Sequence, residues 1–261
     1  MLVSVVIPAR DDAAMLATCL EALGEQTGLS ESVEVEIVVV DNGSSDATAA
    51  VAHAAGARVV SEPIHGIPRA AAAGYDAARG ELIARIDADT ICPPGWLAHA
   101  VAVFADNDGL SALTGTGRFY GANELVHRVG RAWYLGGMYW SMNNYLGHPM
   151  VFGSNFVMRR SVWAELRHEV HRDPRTIHDD LDLSLHIKPW MTVRYDQDFV
   201  VQISARPFAS WSGLRRRVSW VVPTLRNHWP DDNPWARRAA RRRWATRPRR
   251  DTDESDHRPA A

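Results

Sequence analysis

Two acidic runs hold the residue types that could do chemistry. Asp87-Ala88-Asp89 ends the short apolar run Leu82-Ile83-Ala84-Arg85-Ile86, and Asp179-Asp180 opens a second periodic run that also contains Asp182. The first run, bounded by Gly80 and Pro93-Pro94, reads as a strand. In an extended chain residues i and i+2 point to one side, so Asp87 and Asp89 are expected to face a common ligand. Carboxylates held that close disfavour each other's charge unless a cation stands nearby. Mg²⁺ or Mn²⁺ shared with a diphosphate fits, because such hard ions take carboxylate and phosphate oxygens. The competing reading is a polar strand end, since Asp-x-Asp is common by chance. Asp179-Asp180 suits general-base work, in which a carboxylate takes a hydroxyl's proton as that oxygen attacks. Its alternative is acidic capping of a helix N-terminus, which explains one carboxylate well and three within four positions poorly; Asp182 is expected to do that capping.

The elements that must position these residues can be traced in order. Residues 2–7 form a buried-type strand stopped by Pro8. Asp11 or Asp12 can cap a helix with Leu16, Cys19, Leu20 and Leu23 on one face. A second strand, 33–40, runs into the turn-forming stretch Asp41-Asn42-Gly43-Ser44-Ser45-Asp46. An Ala-rich helix over 46–55, a strand over 57–61 and a helix over 69–79 follow, the last ending at Gly80 in what reads as a left-handed cap. This alternation predicts an α/β fold, a mainly parallel sheet covered by helices on both faces. Ligands in such folds bind beyond the carboxyl ends of the strands, where Pro8, Ala9, Arg10, Asp41, Asp87 and Asp89 all fall. Farther on, the pattern predicts helices over 93–107, 122–146, 161–170 and 178–187. It also predicts strands over 110–116 and 150–158 and two short closing strands, 192–195 and 199–204.

Composition narrows the class. The chain has 261 residues, 46% of them hydrophobic, with ten Trp, enough for a packed core. Two cysteines, Cys19 and Cys92, rule out a disulfide framework and read as small core residues. No run of 18 apolar residues and no basic-plus-apolar leader is visible, so a cytoplasmic protein is expected. The net charge of −2 conceals an asymmetry: residues 1–205 carry −10, whereas 206–250 carry +11. Trp and Leu beside Arg in 206–230 predict an amphipathic basic segment, with anionic membrane contact through 206–250 as one reading and a packed helix as the other. Residues 231–261 read as a disordered, Arg-rich tail. The aromatic interleaving and motifs of a nucleic-acid binder are missing, and no nucleic-acid partner is expected.

Taken in order, the motifs resemble those of the family 2 glycosyltransferases, which have the GT-A, Rossmann-like fold. The resemblance covers roughly residues 2–205 and rests on Val5-Val6-Ile7-Pro8-Ala9-Arg10, Val38-Val39-Val40-Asp41, Gly66…Ala70…Gly74, Asp87-Ala88-Asp89, Gly153-Ser154-Asn155 and His178-Asp179-Asp180. It implies a nucleotide-sugar-binding half, 1–109, and an acceptor half, 110–205. It further implies a metal-dependent, inverting, non-processive transfer of one sugar from a nucleotide-diphosphate sugar, with a UDP-sugar as the expected donor. The acceptor would be a glycan, lipid-linked or small-molecule hydroxyl. By the same resemblance Pro8, Ala9, Arg10, Asp41, Arg69, Asp87 and Ala88 would hold the donor nucleotide, and Asp89 with Asp87 the metal. Gly153, Ser154 and Asn155 would meet the acceptor. Asp180 would be the base, supported by Asp179, which stands where relatives carry Glu. A retaining transferase, a sugar nucleotidyltransferase and a non-catalytic binder are the alternatives. The absence of glycine from Pro8-Ala9-Arg10-Asp11-Asp12 counts against the nucleotidyltransferase.

Overall fold

The computed structural model describes residues 1–121, 137–173, 177–206, 211–230 and 233–246. Its order is β1 (Leu2–Ala9), α1 (Ala13–Gly24), β2 (Glu34–Asp41), α2 (Thr48–Ala54), β3 (Arg58–Ser61), α3 (Ile67–Ala77), β4 (Leu82–Arg85), β5 (Thr90–Ile91), α4 (Trp96–Ala105) and β6 (Leu110–Tyr120). Then come α5 (Met138–Leu146), β7 (Phe156–Arg159), α6 (Arg160–Leu166), α7 (Asp179–His186), β8 (Thr192–Ser204), α8 (Trp211–His228) and α9 (Pro234–Ala245). Most of the expected 122–146 helix lies outside the described residues.

Eight strands form one sheet in the order β3-β2-β1-β4-β7-β6-β8-β5. The β3-β2-β1-β4 half is parallel, as the alternation predicts, while β7 runs antiparallel to both β4 and β6. Register places Ala9 beside Asp41 and Asp41 beside Ser61, so three carboxyl ends share one edge. Arg85 faces Phe156 across the antiparallel pair, which brings Gly153-Ser154-Asn155 to the same edge. Alternation along the strands feeds two cores. Val3, Val5, Ile7, Leu82 and Ala84 pack with α1 and α4, whereas Val6, Val38, Val40 and Ile83 pack with α3, α6 and α7.

Four departures from the sequence reading have physical causes. The two closing strands are one strand, β8, whose pairing with β6 slips between Thr114 and Thr116. Gly80 is not a left-handed cap; a Cβ there would lie 2.6 Å from Ser4 N and 2.7 Å from Leu2 O, so close backbone approach requires glycine. Asp12 sits at the N-cap of α1 without capping it, its carboxylate turned instead to Arg206 at 2.8 Å. Residues 234–245, within the expected disordered tail, are the helix α9. Asn233 caps it by accepting from Trp235 N and Ala236 N, with Pro234 in the first turn.

Candidate active site

At the carboxyl edge of the sheet a cleft of about 470 Å³ opens between β1, β4, the 152–154 turn and the start of α7. Arg85 organises its floor. It is the last residue of β4, points to the α7 side, and is 2% exposed. One guanidinium nitrogen meets Asp87 Oδ1 at 3.0 Å and the other meets Asp179 Oδ2 at 2.9 Å. Burial opposes its charge, but Asp179, then Asp87 and Asp180, more than compensate and hold it protonated. The two acidic runs, 92 positions apart, are thus joined through one buried cation.

The Asp87-Ala88-Asp89 stretch is not extended. It turns, with Thr90 N–H donating to Asp87 O at 3.0 Å. The turn separates the two side chains. Asp87 Oδ2 accepts from Ser154 Oγ at 2.5 Å while its Oδ1 serves Arg85. Asp89 faces the cleft mouth, where Arg206 reaches its Oδ2 at 3.2 Å. Tyr120 Oη donates to Asp89 O at 2.8 Å and braces the turn from β6.

Asp179 and Asp180 begin α7 in its first turn, where the N-terminal end of the helix dipole favours negative charge. Asp180 is 7% exposed; its Oδ2 accepts from Gly153 N–H at 2.9 Å and its Oδ1 lies 2.5 Å from His178 Nδ1. Burial raises its pKa, yet His178, the Gly153 N–H and Arg85 outweigh that and hold the carboxyl well below the usual range. Asp179 shifts the other way: burial dominates, Arg85 opposes it, and the neighbouring Asp180 pushes it further up. A shared environment has pulled two adjacent carboxyls apart. Asp182 is no cap; its carboxylate accepts from His171 N–H at 2.8 Å, away from the helix start.

Pro8, Ala9, Arg10, Asp87, Ala88, Asp89, Gly153, Ser154, Asp179 and Asp180 all line the cleft. Three expected site residues do not. Asp41 Oδ1 accepts from Ser44 N–H at 3.0 Å within its own turn, and the neighbouring Asn42 is the one in the cleft wall. Arg69 lies on α3, outside the lining. Asn155 is fully buried. Its amide donates to Thr116 O and Phe199 O and accepts from Trp96 Nε1, so it locks the turn to β6, β8 and α4. Arg85, Asp12, His178, Arg206 and Trp220 also line the cleft, with Gly66, Ile67, Pro68, Ala70 and Phe152, and were missed as site residues. Only Arg85 carried a usable signal, a charge inside an otherwise apolar strand.

Five carboxylates against three guanidinium groups leave the cleft short of positive charge for a diphosphate. The donor set therefore fits a hard divalent cation, with Asp89 the carboxylate presented toward the ligand space. Among the described residues, His178, Asp179 and Asp180 also offer ligand atoms within 4.8 Å of one another.

A sheet with this strand order and a cleft at its carboxyl edge matches the GT-A fold. The family model described as "Glycosyl transferase family 2" matches residues 4–167, and the chain belongs to that family. It is 32% identical over 117 residues to the glucosyl-3-phosphoglycerate synthase of Mycolicibacterium paratuberculosis, covering 41% of this chain and 35% of that protein. An uncharacterized Mycobacterium tuberculosis protein is 38% identical over 109 residues, 40% of this chain and 33% of that one. The chain thus spans about a third of the length of the curated relatives it matches. Among solved structures, a mannosyltransferase from Pyrobaculum calidifontis in complex with GDP-Man and Mn²⁺ superposes with a TM-score of 0.62 at 20% identity, covering 93% of this chain and 74% of that one. Staphylococcus aureus TarS 1-349 in complex with UDP-GlcNAc gives 0.61 at 15% identity, covering 79% and 59%. No described helix is long and apolar enough to cross a membrane.

Proposed function

We propose that this chain transfers one sugar from a nucleotide-diphosphate sugar to an acceptor hydroxyl, with a divalent cation and with inversion at the anomeric carbon. The observation that carries the reading is the Arg85 bridge, which sets the Asp87–Asp89 turn and the Asp179–Asp180 pair on opposite sides of one cleft. Pro8, Ala9 and Arg10 at the end of β1, with Asn42 beside them, form the wall for the nucleoside. Asp89 would hold Mg²⁺ or Mn²⁺, whose contribution when bound is to neutralise charge growing on the departing diphosphate. Arg206, half exposed on its side chain, can swing from Asp89 to the phosphates. Gly153 leaves room for Arg85 and donates its N–H to Asp180, while Ser154 fixes Asp87.

The base comes from the α7 pair. Asp180 is the expected one, oriented by Gly153 N–H and His178. Asp179 has its own claim, because burial raises its proton affinity and Arg85 engages one of its oxygens. Both carboxylates line the cleft, which supports drawing the base from this pair. The relatives' GDP-Man and UDP-GlcNAc make a UDP- or GDP-sugar the donor class to try first.

Calorimetric titration with UDP and GDP, with and without Mn²⁺, tests the site. One nucleotide should bind in a Mn²⁺-dependent manner, and Asp89→Ala should abolish that dependence. Binding to neither would remove a UDP- or GDP-sugar as donor, and a product retaining the donor's anomeric configuration would remove inversion.

A further inference from the structure

A second constellation lies away from the cleft. Asp182 is fully buried on α7, and three imidazoles converge on its carboxylate. His171 Nδ1, in the segment after α6, is 2.8 Å from Oδ1; His228 Nε2, at the end of α8, is 3.0 Å from the same oxygen; His186 Nδ1, one turn on from Asp182, is 3.5 Å from Oδ2. The rings stand 4.8–5.3 Å apart between centroids. One ligand atom from each of the four residues falls within 4.8 Å of the other three. The side chains of His228 and His186 are 8% and 10% exposed.

Hydrogen bonding alone accounts poorly for this arrangement. A single carboxylate has one charge to offer, so three adjacent imidazoles would repel one another if protonated, and if neutral two of them crowd one of its oxygens while His186 turns to the Asp182 carbonyl. A cation that draws on all four resolves both difficulties. Three imidazoles and one carboxylate make a closed four-ligand set of borderline softness, which suits Zn²⁺; Mg²⁺ and Mn²⁺ prefer oxygens. His186 Nδ1 also meets the Asp182 carbonyl oxygen at 2.8 Å; that bond fixes the ring and leaves Nε2 as the nitrogen able to coordinate. A cavity of about 460 Å³, lined in part by His186, His228 and Glu169, lies against the cluster and gives an ion a way in.

We propose that His171, Asp182, His186 and His228 form a structural zinc site, distinct from the donor cleft, that fastens the end of α8 to α7, the helix carrying Asp179 and Asp180. The site joins three separate stretches of chain. Its position gives the ion leverage on the cleft: α8 also supplies Trp220 to the cleft wall and Thr224, whose Oγ1 accepts from His178 N–H at 2.8 Å. Asp182 and Asp180 sit two residues apart on one short helix, so fixing one constrains the other.

The full chain, purified without chelators, should carry about one zinc by elemental analysis after desalting, and the Asp89→Ala variant should carry the same amount. After chelation, Zn²⁺ alone should raise the melting temperature, and Co²⁺ should give the intense visible bands of a tetrahedral site. His171→Ala removes the most exposed ligand with least risk to folding. It should weaken zinc binding at least about tenfold, the lower end of what even an outer contact costs. Zinc absent from the purified chain with no thermal response to added Zn²⁺ would overturn the proposal. So would zinc held equally by wild type and His171→Ala.

Discussion

At the scale of single residues, the cleft depends on a side chain with no chemistry of its own. Arg85 sets the distance between the Asp-x-Asp turn and the α7 pair, and Gly153 makes room for it: a Cβ at 153 would collide with Arg85 Nη1 and lie 3.1 Å from Asp180 Oδ2. Gly153→Ala should therefore displace two groups at once. A misplacement of about 1 Å costs on the order of 100-fold, so kcat/KM for donor turnover should fall by about that factor, and the melting temperature should fall too because the displaced Arg85 pairs are buried. The α7 pair admits a sharper comparison. Losing a general base costs about 10²–10⁴-fold in kcat. Asp180→Asn should reach that loss with Mn²⁺-dependent nucleotide affinity retained, and Asp179→Asn should fall short of it. The reverse order, read from initial rates on the two purified variants, would assign the proton transfer to Asp179.

At the scale of elements, the sequence was most readable where hydrophobic period and charge coincided. β1, β2 and β4 each run from an apolar repeat into polar residues and α7 opens on its carboxylates, and those ends line the cleft, with Asn42 rather than Asp41 after β2. It was least readable where long-range bonds decide the outcome. Asp182 reads from sequence as a charge serving the helix start, and only the fold brings His171 and His228 to it. Asn155 looks like a ligand contact in its motif, yet Thr116 O and Phe199 O, far along the chain, consume its amide. α9 reads as disordered because its apolar face is thin, but Arg237 donates to the Leu185 carbonyl at 2.8 Å and is only 7% exposed. That docking has an electrostatic consequence at His148, which precedes the 152–154 turn. Burial and the charges of Arg241 and Arg237 push its pKa down to about 3 from the usual 6.5. The folded state thus keeps it neutral while the unfolded state protonates near 6.5. Its contribution is fully present above that pH and is lost as pH falls toward 3. Urea denaturation at pH 7 and pH 5 should show wild type losing about 2 kcal/mol more than His148→Gln over that interval. Equal losses would mean the imidazole is solvated in the fold.

At the scale of the whole molecule, the charge split between residues 1–205 and 206–250 acquires a mechanical meaning. The basic C-terminal helices lie on the acidic body. Val221 and Leu225 pack against the main core, Thr224 holds the His178 backbone, Trp220 enters the cleft wall, and Arg206 reaches both Asp12 and Asp89. Arg237 and Arg241 spend their donors on carbonyls of the body rather than presenting them all to an anionic surface. A chain ending at residue 205 should for that reason lose more than a surface contact. Burial of Val221 and Leu225 and the buried bonds to Arg237 together amount to roughly 4 kcal/mol, which corresponds to about 10 °C in melting temperature for a body of this size. The truncated chain should also lose Mn²⁺-dependent nucleotide binding in membrane-free buffer, because a cation and an aromatic wall leave the cleft with it. A purely membrane-anchoring role predicts the opposite: an unchanged melting temperature, unchanged nucleotide affinity, and a difference only in salt-sensitive flotation with anionic vesicles. Calorimetry on the two chains separates these outcomes before any lipid is added.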